Sequence, residues 1–137
     1  MPYLEIRFKG NTVNTKCLGE LGTIGEEAFA NMQNSLLGTS LEPKDILVRF
    51  IEASEWDRNI PDVCFILRCG ASALTKEERI ELCEEFWVAV TKKFGNTKIL
   101  SLNQGSPLSF DIELFDESSN GFRETGSKRE FSWQSFF

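Results

Sequence analysis

The sequence predicts an α+β domain: tandem β-α-β units giving a four-stranded mixed sheet, covered on one face by two helices, with a C-terminal strand and tail added. Three observations carry this prediction. Residues 3–9 alternate apolar and polar with period two. Two longer stretches, 16–37 and 75–94, repeat their apolar residues at helical spacing. Between them residues 63–70 are almost continuously apolar, as a strand buried on both faces requires. The order strand, helix, strand, strand, helix, strand reads as two β-α-β halves.

Each element has its own signal. In residues 3–9, Leu4, Ile6 and Phe8 point one way, and Tyr3, Glu5, Arg7 and Lys9 the other; Gly10-Asn11 ends the strand. The first helix carries its stripe from Cys17 to Leu37 and stops at Gly38, a residue suited to a left-handed cap. Gly19, Gly22 and Gly25 weaken its first half by up to about 1 kcal/mol each against alanine, or else permit close packing. Residues 45–55 form a second strand, in which Ile46, Val48 and Phe50 alternate with Leu47, Arg49 and Ile51. Asn59-Ile60-Pro61-Asp62 is a turn into the third strand. Thr75 and Glu78 match a capping box that opens the second helix, and Gly95 ends it. Residues 98–102 are expected to be the fourth strand and residues 108–115 a further one. Residues 116–129 are polar and loop-like. Phe131, Trp133, Phe136 and Phe137 then cluster at the end and need burial, on the chain's own core or on a neighbouring subunit. The expected division is a core over residues 1–104 and an extension over 105–137.

Composition narrows function. The chain has 137 residues, 41% of them hydrophobic, which suits one domain with a real core. A net charge of −6 disfavours a phosphate backbone as partner, so no nucleic-acid binding is expected. No apolar run approaches the roughly 20 residues of a membrane helix, and the start lacks the pattern of a signal peptide. A cytoplasmic protein follows as the expectation. The four cysteines, Cys17, Cys64, Cys69 and Cys83, form no CxxC pair and read as free thiols. There is no histidine. That removes Ser-His-Asp and Cys-His catalysis and the commonest zinc ligand. No motif calls for a cofactor or metal.

The remaining candidate for chemistry is Pro2. Removal of Met1 exposes a secondary amine at the tip of a strand. An α-amino group ionises near pH 8, and burial or nearby arginines lower that value, so a neutral amine is available to take a proton beside a carbonyl. The bland alternative is that Met-Pro is a common start.

With Pro2 opening an alternating strand, and with Ile46-Leu47-Val48-Arg49-Phe50-Ile51-Glu52 as the second strand, the chain resembles the tautomerase superfamily over residues 2–102. That group includes 4-oxalocrotonate tautomerase, 5-carboxymethyl-2-hydroxymuconate isomerase and macrophage migration inhibitory factor. The resemblance implies a cofactor-independent keto–enol isomerase with Pro2 as general base, a small 2-oxo or 2-hydroxy-dienoate carboxylic acid as substrate, and a homotrimer. Arg49 matches the arginine that engages the substrate carboxylate in the oxalocrotonate enzymes. Two departures stand out. Gly10-Asn11-Thr12 replaces a second arginine, leaving Arg7 as the substitute. Ser54-Glu55-Trp56-Asp57-Arg58 replaces a glycine-rich turn, leaving Trp56 as the hydrophobic wall. Each has a structural alternative: an ion pair with Glu5 or Glu52 for Arg49, an ion pair for Arg7, and core or interface for Trp56. The competing functional class is a non-catalytic oligomeric binding module on the same fold.

Overall fold

The structure, a computed structural model, describes residues 2–94, 100–102, 108–116 and 124–132. Its elements are β1 (Tyr3–Phe8), α1 (Leu18–Leu37), β2 (Leu47–Glu52), β3 (Val63–Cys69), α2 (Lys76–Phe94), β4 (Ser109–Asp116) and β5 (Glu124–Ser132). The strands make one mixed sheet in the order β2-β1-β3-β4-β5. Within each β-α-β unit the strands are parallel, β1 with β2 and β3 with β4. The units meet at the antiparallel β1–β3 seam, and β5 adds antiparallel to β4.

Register carries the alternation of β1 across the sheet. Leu4, Ile6 and Phe8 pair with Leu67, Phe65 and Val63 of β3, which pair in turn with Leu114, Ile112 and Phe110 of β4. All nine are buried. This is the face that both helices cover, because period-two apolar residues on neighbouring strands form one continuous surface. Gly25 of α1 lies directly against Leu4. Phe86 and Trp87 of α2 pack on Phe65, with centroids 5.3 and 6.5 Å apart, and Trp87 reaches Phe110 at 4.7 Å. Phe29 of α1 meets Phe86 edge to face at 6.3 Å, which locks the two helices together. The opposite, open face carries Tyr3, Glu5 and Arg7, with Arg49 of β2, Arg68 of β3 and Glu113 of β4 in register beside them.

The helix ends follow their sequence signals. Gly38 closes α1 at φ 68°, where a side chain would be strained. Thr75 Oγ1 accepts from the Glu78 N–H (3.2 Å) while Glu78 Oε1 accepts from the Thr75 N–H (2.9 Å), which is the expected capping box at α2. The expected stop at Gly95 lies outside the described residues.

Two expectations change. The fourth strand is Ser109–Asp116, not residues 98–102. Of that earlier stretch, 98 and 99 lie outside the described residues, and the rest attaches to the β1–α1 loop. Leu100 O accepts from Asn14 N (2.6 Å), Leu102 N donates to Thr12 O (2.9 Å), and Ser101 bridges to Val13. The apolar residues Phe110, Ile112 and Leu114 match the buried face of β3 over three positions, whereas residues 98–102 offer no comparable alternation. The second change is that residues 124–129, read as loop, belong to β5. The β5 sequence Glu-Thr-Gly-Ser-Lys-Arg-Glu-Phe-Ser has no apolar alternation, so it has no strand signal of its own; pairing with β4 supplies it. Trp133, Phe136 and Phe137 lie outside the described residues. No described helix is long and apolar enough to cross a membrane.

The α1 glycines separate by position. A Cβ at Gly25 would come within 2.9 Å of Leu4 Cδ2, in the core, whereas a Cβ at Gly19 meets nothing within 4 Å. Gly25→Ala is expected to lower stability by about 1–2 kcal/mol through overpacking, while Gly19→Ala raises it by up to about 1 kcal/mol through helix propensity. Paired denaturant melts check both signs; equal effects at the two positions would contradict the close α1–β1 approach.

Candidate functional site

Pro2 stands immediately before β1 and is half-buried. Its carbonyl accepts from the Leu47 N–H at 3.1 Å, which continues the parallel ladder and fixes the residue at the tip of a strand paired on both sides. By register Pro2 shares the parity of Leu4, Ile6 and Phe8.

The polar side of β1 is one connected cluster. Tyr3 Oη donates to one Glu5 carboxylate oxygen, and Arg7 Nε donates to the other. Glu5 is only 4% exposed, so its charge is held by these two donors instead of by water. Arg49 pairs across from Glu5 on β2. The Arg68 guanidinium lies 5.5 Å from the Tyr3 ring centroid, a cation–π distance. Burial pushes the Tyr3 phenol up to about 12, aided by the hydrogen bond to Glu5 and the Glu5 charge; Arg49 and Arg68 act in the opposite direction with less effect. Two cations therefore bear on the residue next to Pro2.

A separate cleft of about 280 Å³ opens at the other end of β1. Arg7, Ile51, Cys64 and Glu113 line its floor, and the β2–β3 loop, through Asp57, Asn59 and Ile60, forms its rim. From Pro2 to Arg7 is five strand residues, roughly 17 Å. Trp56 belongs to the same loop. A turn in which Ser54 N donates to Asp57 Oδ2 (2.7 Å) and Trp56 N donates to Ser54 Oγ (2.9 Å) projects it outward, 79% exposed.

Of the four residues singled out from sequence, the fold pairs Arg7 with Glu5 and sets Arg49 in register across from that same residue. It leaves Pro2 at one end of the strand and Trp56 beyond the other. The ion-pair alternative for Arg7 is realised with Glu5. Sequence reasoning missed Tyr3, Glu5 and Arg68. Arg68 did carry a signal: it is the one charge in the apolar run of β3, and a charge there needs a partner on a neighbouring strand. Cys69 and Cys83 are buried, and Cys17 and Cys64 are half-buried. Among the described residues no group of three or more cysteines and carboxylates is placed to hold a metal ion.

No family model and no curated protein matches the sequence. Solved structures do match its fold. A malonate semialdehyde decarboxylase superposes with a TM-score of 0.55 at 10% identity, over 87% of this chain and 90% of that one. A member of the cis-3-chloroacrylic acid dehalogenase family gives 0.51 at 10% identity, over 91% and 81%. The protein Pt0534, solved after inactivation by 2-oxo-3-pentynoate, gives 0.50 at 14% identity, over 89% and 95%. At these identities the likeness is one of fold alone, an α+β sheet covered by two helices.

Tyr3 is the chain's single tyrosine, so the ultraviolet absorbance of tyrosinate reports it alone. Its titration is expected near pH 12 and shifts down in Glu5→Gln. Because the folded value is raised, the stability held by the neutral phenol is intact below about pH 10 and is lost as pH rises toward 12. An unshifted midpoint in the folded protein would show that the Tyr3–Glu5 contact does not form.

Proposed function

We propose that this chain, whose fold is that of the tautomerase superfamily, is a cofactor-independent tautomerase acting on a small 2-oxo or 2-hydroxy-dienoate carboxylic acid. The observation that carries the reading is the position of Pro2. It is anchored by the Leu47 hydrogen bond at the tip of β1, an interior strand of the sheet, next to a residue on which Arg49 and Arg68 both act.

In this reading removal of Met1 frees the Pro2 amine. Partial burial disfavours its charged form, so the neutral amine takes a proton from the carbon beside the substrate carbonyl and returns it to another carbon. The substrate carboxylate pairs with an arginine, for which Arg49 and Arg68 are the candidates at this end of β1 and Arg7 a more distant one. The named ligands of the similar folds share this chemistry: malonate semialdehyde, 3-chloroacrylic acid and 2-oxo-3-pentynoate are all small carboxylic acids. The decarboxylase was also solved with its first-position proline replaced by alanine, which marks that residue as one of interest there.

Trp56 is remote from Pro2 within one chain, so as an active-site wall it must come from another subunit. A homotrimer supplies it. Edge strand β2 supports self-association: Leu47, Phe50 and Ile51 are each more than two-fifths exposed, along a strand whose outer edge has no partner among the described residues. The competing reading, a non-catalytic oligomeric binding module, draws on the cleft's lying away from Pro2.

The test is ketonisation of an enol such as enol-phenylpyruvate by protein whose loss of Met1 has been confirmed by intact mass. Pro2→Ala is expected to lower kcat about a hundred- to ten-thousandfold, and Arg49→Ala to raise KM about tenfold. Wild-type turnover that survives Pro2→Ala, or a retained Met1, removes the proline as base and leaves the binding-module reading.

A further inference from the structure

The Pro2 chemistry leaves one developing charge without a receiver. When the amine takes a proton from the carbon beside a carbonyl, the C–H bond breaks and an N–H bond forms. The electron pair moves onto the carbonyl oxygen as an enolate. That oxygen needs hydrogen-bond donors on the side of the sheet where Pro2 stands. Pro2 shares the parity of Leu4 and so belongs to the helix-covered face, whereas Arg49 and Arg68 lie with Tyr3 on the open one. On the covered face two buried side-chain nitrogens, Gln33 Nε2 and Arg79 Nε, donate to nothing among the described residues. Gln33 is only 2% exposed. Arg79 is half-buried; its Nη1 donates to Leu74 O at 2.8 Å, and no carboxylate pairs with it among the described residues. A buried donor without an acceptor is destabilising, so two of them close together call for an absent partner.

Both groups come to the level of Pro2. The Phe29–Phe86 contact fixes which faces of the two helices meet. Gln33 is one turn after Phe29 and Arg79 about two turns before Phe86, so each sits on that meeting stripe. Each helix runs antiparallel to the strand before it, as a crossover between parallel strands requires. Along β3 the position across from Pro2 is Cys69, one step past the Tyr3–Arg68 pair and about 13 Å beyond Phe65. Along α2, Arg79 lies about 10 Å in the same direction from Phe86, which packs on Phe65. Along α1, Gln33 lies about 12 Å past Gly25, while Pro2 lies about 7 Å past Leu4, the residue against Gly25. The backbone of Arg79 is thus about 3 Å short of the level of Pro2, and that of Gln33 about 5 Å beyond it. Helical side chains lean toward the N-terminus of their own helix. That carries Arg79 forward and Gln33 back, toward one level from two sides.

We propose that Arg79 and Gln33 hold the enolate oxygen formed when Pro2 takes its proton, a role that rests on the Pro2 reading above. Arg79 supplies a full charge through its Nε–H, and Gln33 supplies a second N–H from a side chain held by burial. Shielding from water strengthens both contacts. Removal of Met1 vacates the position bonded to the Pro2 nitrogen and opens this side of the strand tip. When Pro2 returns the proton to another carbon, the electron pair re-forms the C=O bond and the donors relax to a neutral oxygen. The open-face arginines remain available to the carboxylate. A substrate held from both faces must then carry a carbonyl oxygen as well as a carboxylate, which selects a 2-oxo acid over an acid that lacks the carbonyl.

The experiment uses the full chain after confirmed loss of Met1 and reads turnover, stability and binding. With enol-phenylpyruvate, Gln33→Leu and Arg79→Lys are each expected to lower kcat about ten- to hundredfold with KM little changed, because the contact forms only as the charge develops. Gln33→Leu is also expected to raise the thermal midpoint by roughly a few degrees, since it removes an unpartnered buried nitrogen. A packing role would lose stability instead. Arg79→Lys keeps the test informative if Gln33→Leu disturbs the helix contact. Binding is read by NMR with oxalate, a planar anion whose oxygens mimic the enolate of a 2-oxo acid, against acetate. Oxalate is expected to bind at least about tenfold more tightly than acetate, to shift the Gln33 side-chain amide, and to lose about tenfold in Gln33→Leu. Turnover that needs Pro2 but is unchanged in both variants overturns this assignment and leaves the proline base in place. Turnover that survives Pro2→Ala, with oxalate still bound at Gln33, removes the proline base and keeps the oxygen site. Oxalate bound no better than acetate, or without a shift at Gln33, overturns the oxygen site whatever the turnover.

Discussion

Strand β1 is hydrogen-bonded on both sides, and its side chains must alternate between two environments. That constraint orders the rest of the molecule. Leu4, Ile6 and Phe8 hold the helix-covered face, and through register with β3 and β4 they set a nine-residue apolar surface on which α1 and α2 rest. Tyr3, Glu5 and Arg7 are forced by the same alternation onto the opposite face. A slip of one residue would put three polar side chains under the helices. Gly25 shows how tight the arrangement is, since even a methyl group there meets Leu4.

The polar face exists under the same constraint. Glu5 cannot turn to the core and is nearly shielded from water, so its carboxylate is satisfied by side chains two residues away on either side. The result is a line of Tyr3, Glu5 and Arg7 along one strand, with Arg49 and Arg68 flanking it from β2 and β3. This line joins two different regions. One end carries Pro2, with cations bearing on its neighbour; the other carries a carboxylate-rich cleft under the β2–β3 loop. The two ends differ in lining, with arginines bearing on Tyr3 at one and mainly carboxylates at the other.

Much of the fold is legible residue by residue, because its signals are local. Alternation in β1, the helical stripes, the cap at Gly38 and the capping box at Thr75 depend on neighbours within a few positions, and all appear where the sequence places them. The misplaced fourth strand and the unread β5 are of another kind. Residues 98–102 and 124–129 differ in what they meet, not in what they are: one stretch ends against the β1–α1 loop, the other pairs with β4. Strand formation there is decided by a partner far along the chain.

The candidate site divides in the same way. Sequence alone determined that the chain has no histidine, that a proline opens the first strand, and that Arg7 and Arg49 sit on alternating strands, since residue identity and period two need no tertiary knowledge. Only the tertiary structure decided that Arg7 pairs with Glu5, that Arg49 lies in register across from it, that Arg68 stands beside Tyr3, and that Trp56 lies beyond the far end from Pro2. Those relations are set by strand order and register, which depend on the burial of a whole face at once and are not written in any one segment.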